Sequence, residues 1–344
     1  MLTTLSIYYV GLDVHKKTIS FCVKNAAGEI LQEGRLRATR EALDRWSEQL
    51  PQPWIGALEA TLFTAWIYDH LQDRGGRLKV AHPARLQAIT TAKKKTDRID
   101  ARTLADLLRC RLLPEIQLLP RELRELRTVL RYRNLLVNQT TRLKNRIAGL
   151  LMETGTEYQT RRLHGKRYFQ QLLTELEHVP DSALELLKLS RQSLDYLSAV
   201  ERRLLKGLLE HPRLIDRVER LRSIPSVGTI VALTWALEIG EVSRFSSIAQ
   251  AVSSCGLCSA QKESAGKSMR GPISKQRNAY LQRVLIEAAK LAPRYCPDLR
   301  RLYEQQRQRG HWNRATLAVA RKLVAYLMAV DRRQTPFQVE STAA

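Results

Sequence analysis

Four carboxylates stand out in the first hundred residues: Asp13, Glu59, Asp97 and Asp100. Each falls where a strand end or a first helical turn would aim it at a common point. Carboxylates gathered in this way repel one another unless a cation joins them. Two such acids three residues apart share one helix face. Four oxygen donors from three elements can hold two magnesium ions about 4 Å apart, one activating an attacking oxygen and one stabilising a leaving oxygen. Taken singly, each acid has a plainer role, because Asp97 is a good N-cap and Asp100 could pair with Arg98 or Lys94. The set of four, in the order strand-acid, strand-acid, helix-acid-x-x-acid, favours a Mg2+ site.

The surrounding chain is strongly basic. Its 344 residues carry 57 Lys+Arg against 34 Asp+Glu, a formal charge of +23. The excess is concentrated: residues 261–334 hold 17 Lys/Arg and 5 Asp/Glu, and residues 121–146 hold 8 and 2. Basic helical faces attract phosphates by displacing counterions, so a nucleic acid is the expected partner. An acidic cluster inside such a chain implies a metal-dependent enzyme acting on nucleic acid. Five cysteines make no disulfide framework. Cys255-x-x-Cys258 lacks a second pair for zinc, and the seven histidines suggest no ligand cluster. No apolar run is long enough to span a bilayer, and no signal peptide is expected. The expected location is the cytoplasm, in association with the nucleoid.

The elements that must position the acids read as follows. Tyr8–Val14 is a strand ending in Asp13, Thr18–Val23 a second, and residues 30–36 a third. Residues 39–50 have helical spacing, stopped by Pro51 and Pro53. Trp54–Glu59 is an apolar strand, 61–73 a helix, 78–81 a short strand and 97–112 a helix. The order βββαβαβα implies a sheet with helices against it. Residues 121–152 then show near-heptad leucine spacing, and a second stretch runs from Leu187 to Leu208. These two helices suggest an antiparallel hairpin within the chain or a seam between protomers. Ile224–Gly228 is a sharp turn between helices. The remainder is helical, apart from a polar glycine-containing loop at 262–271.

That loop holds Ser264 and Ser268 among Lys262, Lys267 and Arg270. Basic groups there could hold a phosphate and stabilise developing charge. A serine needs such help to act as a nucleophile, and either serine fits the bare chemistry.

Three N-terminal segments, Val10-Gly11-Leu12-Asp13-Val14, Leu58-Glu59-Ala60-Thr61 and Lys95-Thr96-Asp97-Arg98-Ile99-Asp100-Ala101, resemble the signature of the DEDD transposases of the IS-one-ten insertion-sequence family. Ile224–Gly228, Phe245, Gly256-Leu257 and Gly271-Pro272-Ile273-Ser274-Lys275 resemble that family's C-terminal domain. Leu62, Ser259, Ala265 and His82 depart from the family pattern, which usually has Gly, Pro, Gly and Asn at those places.

The resemblance implies an α/β ribonuclease-H-like (RuvC-like) catalytic domain over 6–115. A helical, coiled-coil-like linker over 116–212 and a mostly α-helical transposase domain over 213–335 follow. It implies Mg2+ on Asp13, Glu59, Asp97 and Asp100, and a serine nucleophile at Ser264 that forms a covalent phosphoserine ester. Lys93, Lys94, Lys95, Lys262, Lys267, Arg270 and Lys275 are the expected nucleic-acid contacts. The implied partners are DNA at the element ends and target, a structured noncoding bridge RNA, and further copies of the chain in a homodimer or homotetramer. The alternatives are a RuvC-like nuclease of branched DNA without a serine intermediate, and a non-catalytic nucleic-acid-binding protein.

Overall fold

A computed structural model describes residues 7–89, 96–176, 179–264, 267–275 and 277–338; the side chains of Lys262, Ser264, Lys267, Ser268 and Arg270 are outside the description. The chain forms two compact units, Met1–Arg121 and Glu122–Ala344.

The first unit is built on one mixed sheet. Its strands are β1 (Tyr8–Val14), β2 (Thr18–Lys24) and β3 (Ile30–Arg37), followed by helix α1 (Arg40–Glu48), β4 (Trp54–Glu59), α2 (Thr64–Gln72) and β5 (Arg77–Ala81). Helices α3 (Pro83–Ile89) and α4 (Asp97–Arg109) come next, and β6 (Glu115–Ile116) closes the unit. The spatial order is β3-β2-β1-β4-β5-β6. β1, β2 and β3 form an antiparallel meander, β4 and β5 extend it in parallel with β1, and β6 returns antiparallel to β5.

Side-chain alternation assigns the two faces. Val10, Leu12 and Val14 join Leu58 and Val80 in a core with Leu43 and Trp46 of α1 and Ile67 and Leu71 of α2. On the opposite face, Ala57 and Ala81 pack with Leu86 of α3 and Leu104, Leu107 and Leu108 of α4. The sheet is therefore sandwiched between helical layers, as the strand-helix alternation implies. The expected order lacked α3. Pro83 sits at its start, where the missing N–H costs nothing, but one buried leucine in seven residues gives no helical period to read.

The second unit is helical. Its first helix, α5 (Arg121–Glu153), is followed by α6 (Lys166–Thr174) and α7 (Asp181–Leu209). Arg133 pairs with Glu201 at 2.5 Å and Arg213 pairs with Glu122 at 2.5 Å. Ile147 and Leu151 share a core with Leu187 and Leu194. Contacts rising along one helix thus descend along the other, so α5 and α7 lie antiparallel within the chain. Phe169 and Leu172 of α6 fill the closed end of this pair.

Helices α8 (Ile215–Arg222), α9 (Thr229–Ile239) and α10 (Ile248–Ser254) lead to a hairpin of β7 (Ser259–Ser264) and β8 (Lys267–Ile273). Helices α11 (Ala279–Leu291), α12 (Pro297–Gln308) and α13 (Trp312–Arg333) complete the unit. No helix among the described residues is long and apolar enough to cross a membrane. The hairpin replaces the loop expected at 262–271. Its strands are polar, with Gln261, Glu263 and Met269 exposed, so no buried face marked them in the sequence. The backbone ladder pairs Lys262 with Met269 and Ser264 with Lys267.

Candidate active site

Asp13 and Glu59 end neighbouring parallel strands. Leu12 pairs with Leu58 in the β1–β4 register, so the two acids follow side by side. The carboxyl ends of parallel strands are where open sheets place their ligands. Thr64 Oγ1 donates to the Glu59 carbonyl at 2.5 Å and accepts from the Thr61 amide at 2.8 Å, which fixes the turn leaving β4. Leu62, within that turn, is 90% exposed.

Asp97 and Asp100 open α4, which is capped by Thr96: its hydroxyl accepts from the Ile99 amide at 3.3 Å. Acids in this turn also suit the helix dipole. The position of α4 over the sheet depends on Gly11. A Cβ there would lie 1.9 Å from the Ala101 carbonyl oxygen and 2.7 Å from the Ala105 nitrogen. The helix backbone therefore rests directly on β1. One helical turn before Ala101 is Asp97, and two strand residues after Gly11 is Asp13. One turn rises about 5.4 Å and two strand residues span about 6.7 Å. The helix thus carries Asp97 over Asp13. Ion pairs hold it there: Arg102 grips Glu33 of β3 with two bonds of 2.7 and 2.9 Å, Arg98 also pairs with Glu33, and Lys24 reaches Asp106 at 2.6 Å. Arg98 is thus engaged away from Asp100.

One cleft is lined by all four acids together with His15, Thr61, Phe63 and Thr96. His15 Nε2 lies 3.1 Å from Asp13 Oδ2 and 3.3 Å from Asp97 Oδ1. The other Asp97 oxygen accepts from Arg35 Nη2 at 2.5 Å. Burial pushes the Asp13 carboxyl above the usual carboxylate range; the Asp100 and Asp97 charges add to this, while His15 opposes it. Asp97 moves the other way: slight burial works upward, but the Arg35 hydrogen bond and the His15 and Arg35 charges hold it below the ordinary value. Among the described residues, no hydrogen bond or ion pair reaches the carboxylates of Glu59 and Asp100. This hard-oxygen donor set, with like charges crowding Asp13, suits a divalent cation. The sequence reading missed His15. Its signal was there, since residue 15 is two beyond Asp13 and shares its face.

The expected basic contacts divide differently. Lys93, Lys94 and Lys95 lie outside the described residues, as do the side chains of Lys262, Lys267, Arg270 and Ser264. Lys275 is exposed just beyond β8. Backbone and side-chain hydrogen bonds hold the base of the Ser264 hairpin. Gly256 ends α10 at φ 70°, with its amide bonded to the Ser253 carbonyl at 2.9 Å and the Leu257 amide to the Val252 carbonyl at 3.1 Å. A Cβ at Gly256 would also meet Arg277 Cβ at 2.3 Å. Arg321 of α13 donates to the Leu257 carbonyl at 2.8 Å, and Gln282 of α11 donates to the Gly256 carbonyl at 2.5 Å. The hairpin therefore leaves a tethered turn.

Two family models match this chain. The first, the DEDD transposase model of IS110, is described as "Transposase" and covers residues 10–156. The second, "Transposase IS116/IS110/IS902 family", covers residues 218–304. The chain is similar to a "Probable family 20 transposase" of Pseudomonas aeruginosa, with 27% identity over 97% of this chain and 99% of that one. It is similar to the transposase for insertion sequence element IS1328 of Yersinia enterocolitica, with 25% identity over 96% and 99%. It is also similar to the transposase for insertion sequence element IS1111A of Coxiella burnetii, with 27% identity over 96% and 92%. The acids on the sheet fall within the first match and the serine hairpin within the second, and the chain belongs to the IS110 family of insertion-sequence transposases.

Proposed function

We propose that this protein cuts and rejoins DNA at the ends of an insertion sequence and at its target, using a metal site on the sheet and Ser264 on the hairpin. The observation that carries this reading is the cleft lined by Asp13, Glu59, Asp97 and Asp100. In this reading the first unit is a ribonuclease-H-like domain of the RuvC type, supported by its strand order and by acids at the ends of β1 and β4. Asp13, Glu59, Asp97 and Asp100 hold Mg2+. Bound there, the metal would polarise phosphate oxygens and offset charge developing on the phosphodiester.

Ser264 Oγ forms the new bond to phosphorus as the bond to the leaving sugar oxygen breaks, and its proton passes to solvent or a basic neighbour. The phosphoserine ester keeps the energy of the broken bond, so rejoining needs no ATP. Lys262, Lys267, Arg270, Lys275 and Lys93–Lys95 neutralise the DNA backbone. Resemblance of the motifs to the family extends the reading to a noncoding bridge RNA, whose base pairing would choose the DNA while the protein reads shape and backbone. The reading divides the chain at 6–115, 116–212 and 213–335, with the helical middle joining protomers in a dimer or tetramer.

The test is a denaturing gel of the protein with labelled element-end DNA, Mg2+ and the RNA transcribed beside the gene. A covalent protein–DNA adduct that is lost in Ser264→Ala supports the proposal. Cleavage that persists in Ser264→Ala indicates a water-using nuclease. Tight binding without cleavage indicates a binding protein.

A further inference from the structure

His15 stands outside the carboxylate set, yet it reaches into it. The β1–β2 turn fixes its backbone, because its amide donates to the Thr18 carbonyl at 2.9 Å. Strand alternation gives it the face of Gly11 and Asp13. Its side chain is 52% exposed, so packing does not force it between two acids. Even so, Nε2 lies 3.1 Å from Asp13 Oδ2 and 3.3 Å from Asp97 Oδ1. All three donor atoms fall within 4.8 Å of one another.

Those separations suit a single ion. An octahedral centre with bonds of about 2.1 Å has adjacent donors about 3 Å apart. The imidazole also changes the chemistry of the site. Magnesium prefers oxygen donors and gives up its waters reluctantly, whereas first-row divalent metals accept imidazole readily.

The geometry points to His15 as a nitrogen ligand of the ion held by Asp13 and Asp97, making a mixed oxygen–nitrogen site that favours Mn2+ over Mg2+. The inference rests on the metal reading of the cleft and deepens it. The aspartates set the charge of the site, and His15 sets which divalent ion fits best. The resting contacts of His15 with both acids hold the three donors together before an ion arrives.

The test uses the full-length protein and Mn2+. Spin resonance of the free ion gives the affinity, competition with Mg2+ gives the preference, and electron spin-echo modulation of the bound ion reads nitrogen coupling. The expected result is a nitrogen-14 modulation that changes to the nitrogen-15 pattern when histidine is isotopically labelled, and that disappears in His15→Ala. In that variant Mn2+ affinity falls about tenfold while Mg2+ affinity changes little. Bound Mn2+ without nitrogen coupling in the unaltered protein overturns the inference, as does coupling that survives in His15→Ala. The labelling arm needs no variant to fold. Mn2+ binding that is lost in Asp13→Asn but never shows nitrogen coupling defeats the role of His15 alone. No Mn2+ binding at all defeats the metal reading and His15 with it.

Discussion

Asp13 on the sheet and the buried carboxylates of the helical unit meet opposite fates. In the helical unit, Glu238 has a side chain 1% exposed and is fully engaged: Arg131 donates to both its oxygens at 2.8 Å, and Asn278 donates to one at 2.8 Å. Asp331, 6% exposed, receives Arg217 at 2.8 and 2.6 Å and the Trp235 indole N–H at 3.0 Å. On the sheet, among the described residues, Asp13 has only an exposed histidine and two like-charged neighbours. A guanidinium that satisfies both oxygens turns an acid into a structural clasp. Acids crowded together without that partner leave their lone pairs for a cation.

The comparison can be broken by neutralising one acid in each unit. Asp13→Asn is expected to reduce cleavage by about a thousandfold or more, with no loss of metal-free thermal stability, since it relieves repulsion. Asp331→Ala is expected to destabilise the helical unit by about 3–5 kcal/mol, because Arg217 is left buried without its charge partner. Thermal melts beside cleavage assays check both. A large melting loss in Asp13→Asn would erase the distinction.

A second perturbation moves the helix that delivers the acids. Gly11→Val places atoms where the Ala101 backbone already lies. Overpacking of this kind costs about 1–3 kcal/mol, and a shift of about 1 Å in the acids lowers activity on the order of a hundredfold. Cleavage that falls far more than stability does would show that Gly11 sets the site.

The smallest expected effect concerns a polar group without a partner in the helical unit. His164 Nδ1 is buried and makes no hydrogen bond among the described residues. Burial, with Lys144 and Arg191 adding, lowers its pKa below the ordinary value of 6.5. The folded protein therefore binds a proton less readily than the unfolded chain. Its stabilising contribution is full above about pH 6.5 and is lost as pH falls through the depressed value. His164→Gln should flatten that acid-side decline by a fraction of a kcal/mol in denaturant titrations at several pH values. An unchanged pH profile would remove His164 from the account.

Much of this organisation can be read along the chain. The strands Tyr8–Val14 and Trp54–Glu59 and the helix that opens at Asp97 follow from local chemistry and match the structure. Short or polar elements escaped. Helix α6 has two buried apolar residues in nine, too few to show a period. The β7–β8 hairpin is held by backbone pairing rather than by a buried face, and so looked like a loop.

The sequence by itself determined which residues end strands and which open a helix, because propensity, capping and alternation act over a few neighbours. It thereby placed Asp13, Glu59, Asp97 and Asp100 at the tips of their elements. The tertiary structure alone decided that these tips meet. That outcome depends on the β1–β4 register, on the close seating of α4 over Gly11 and on Arg102 gripping Glu33, contacts between residues distant in the chain. It also brought His15 to two of the acids, since a ligand set is a property of distances in space and leaves no period in a sequence.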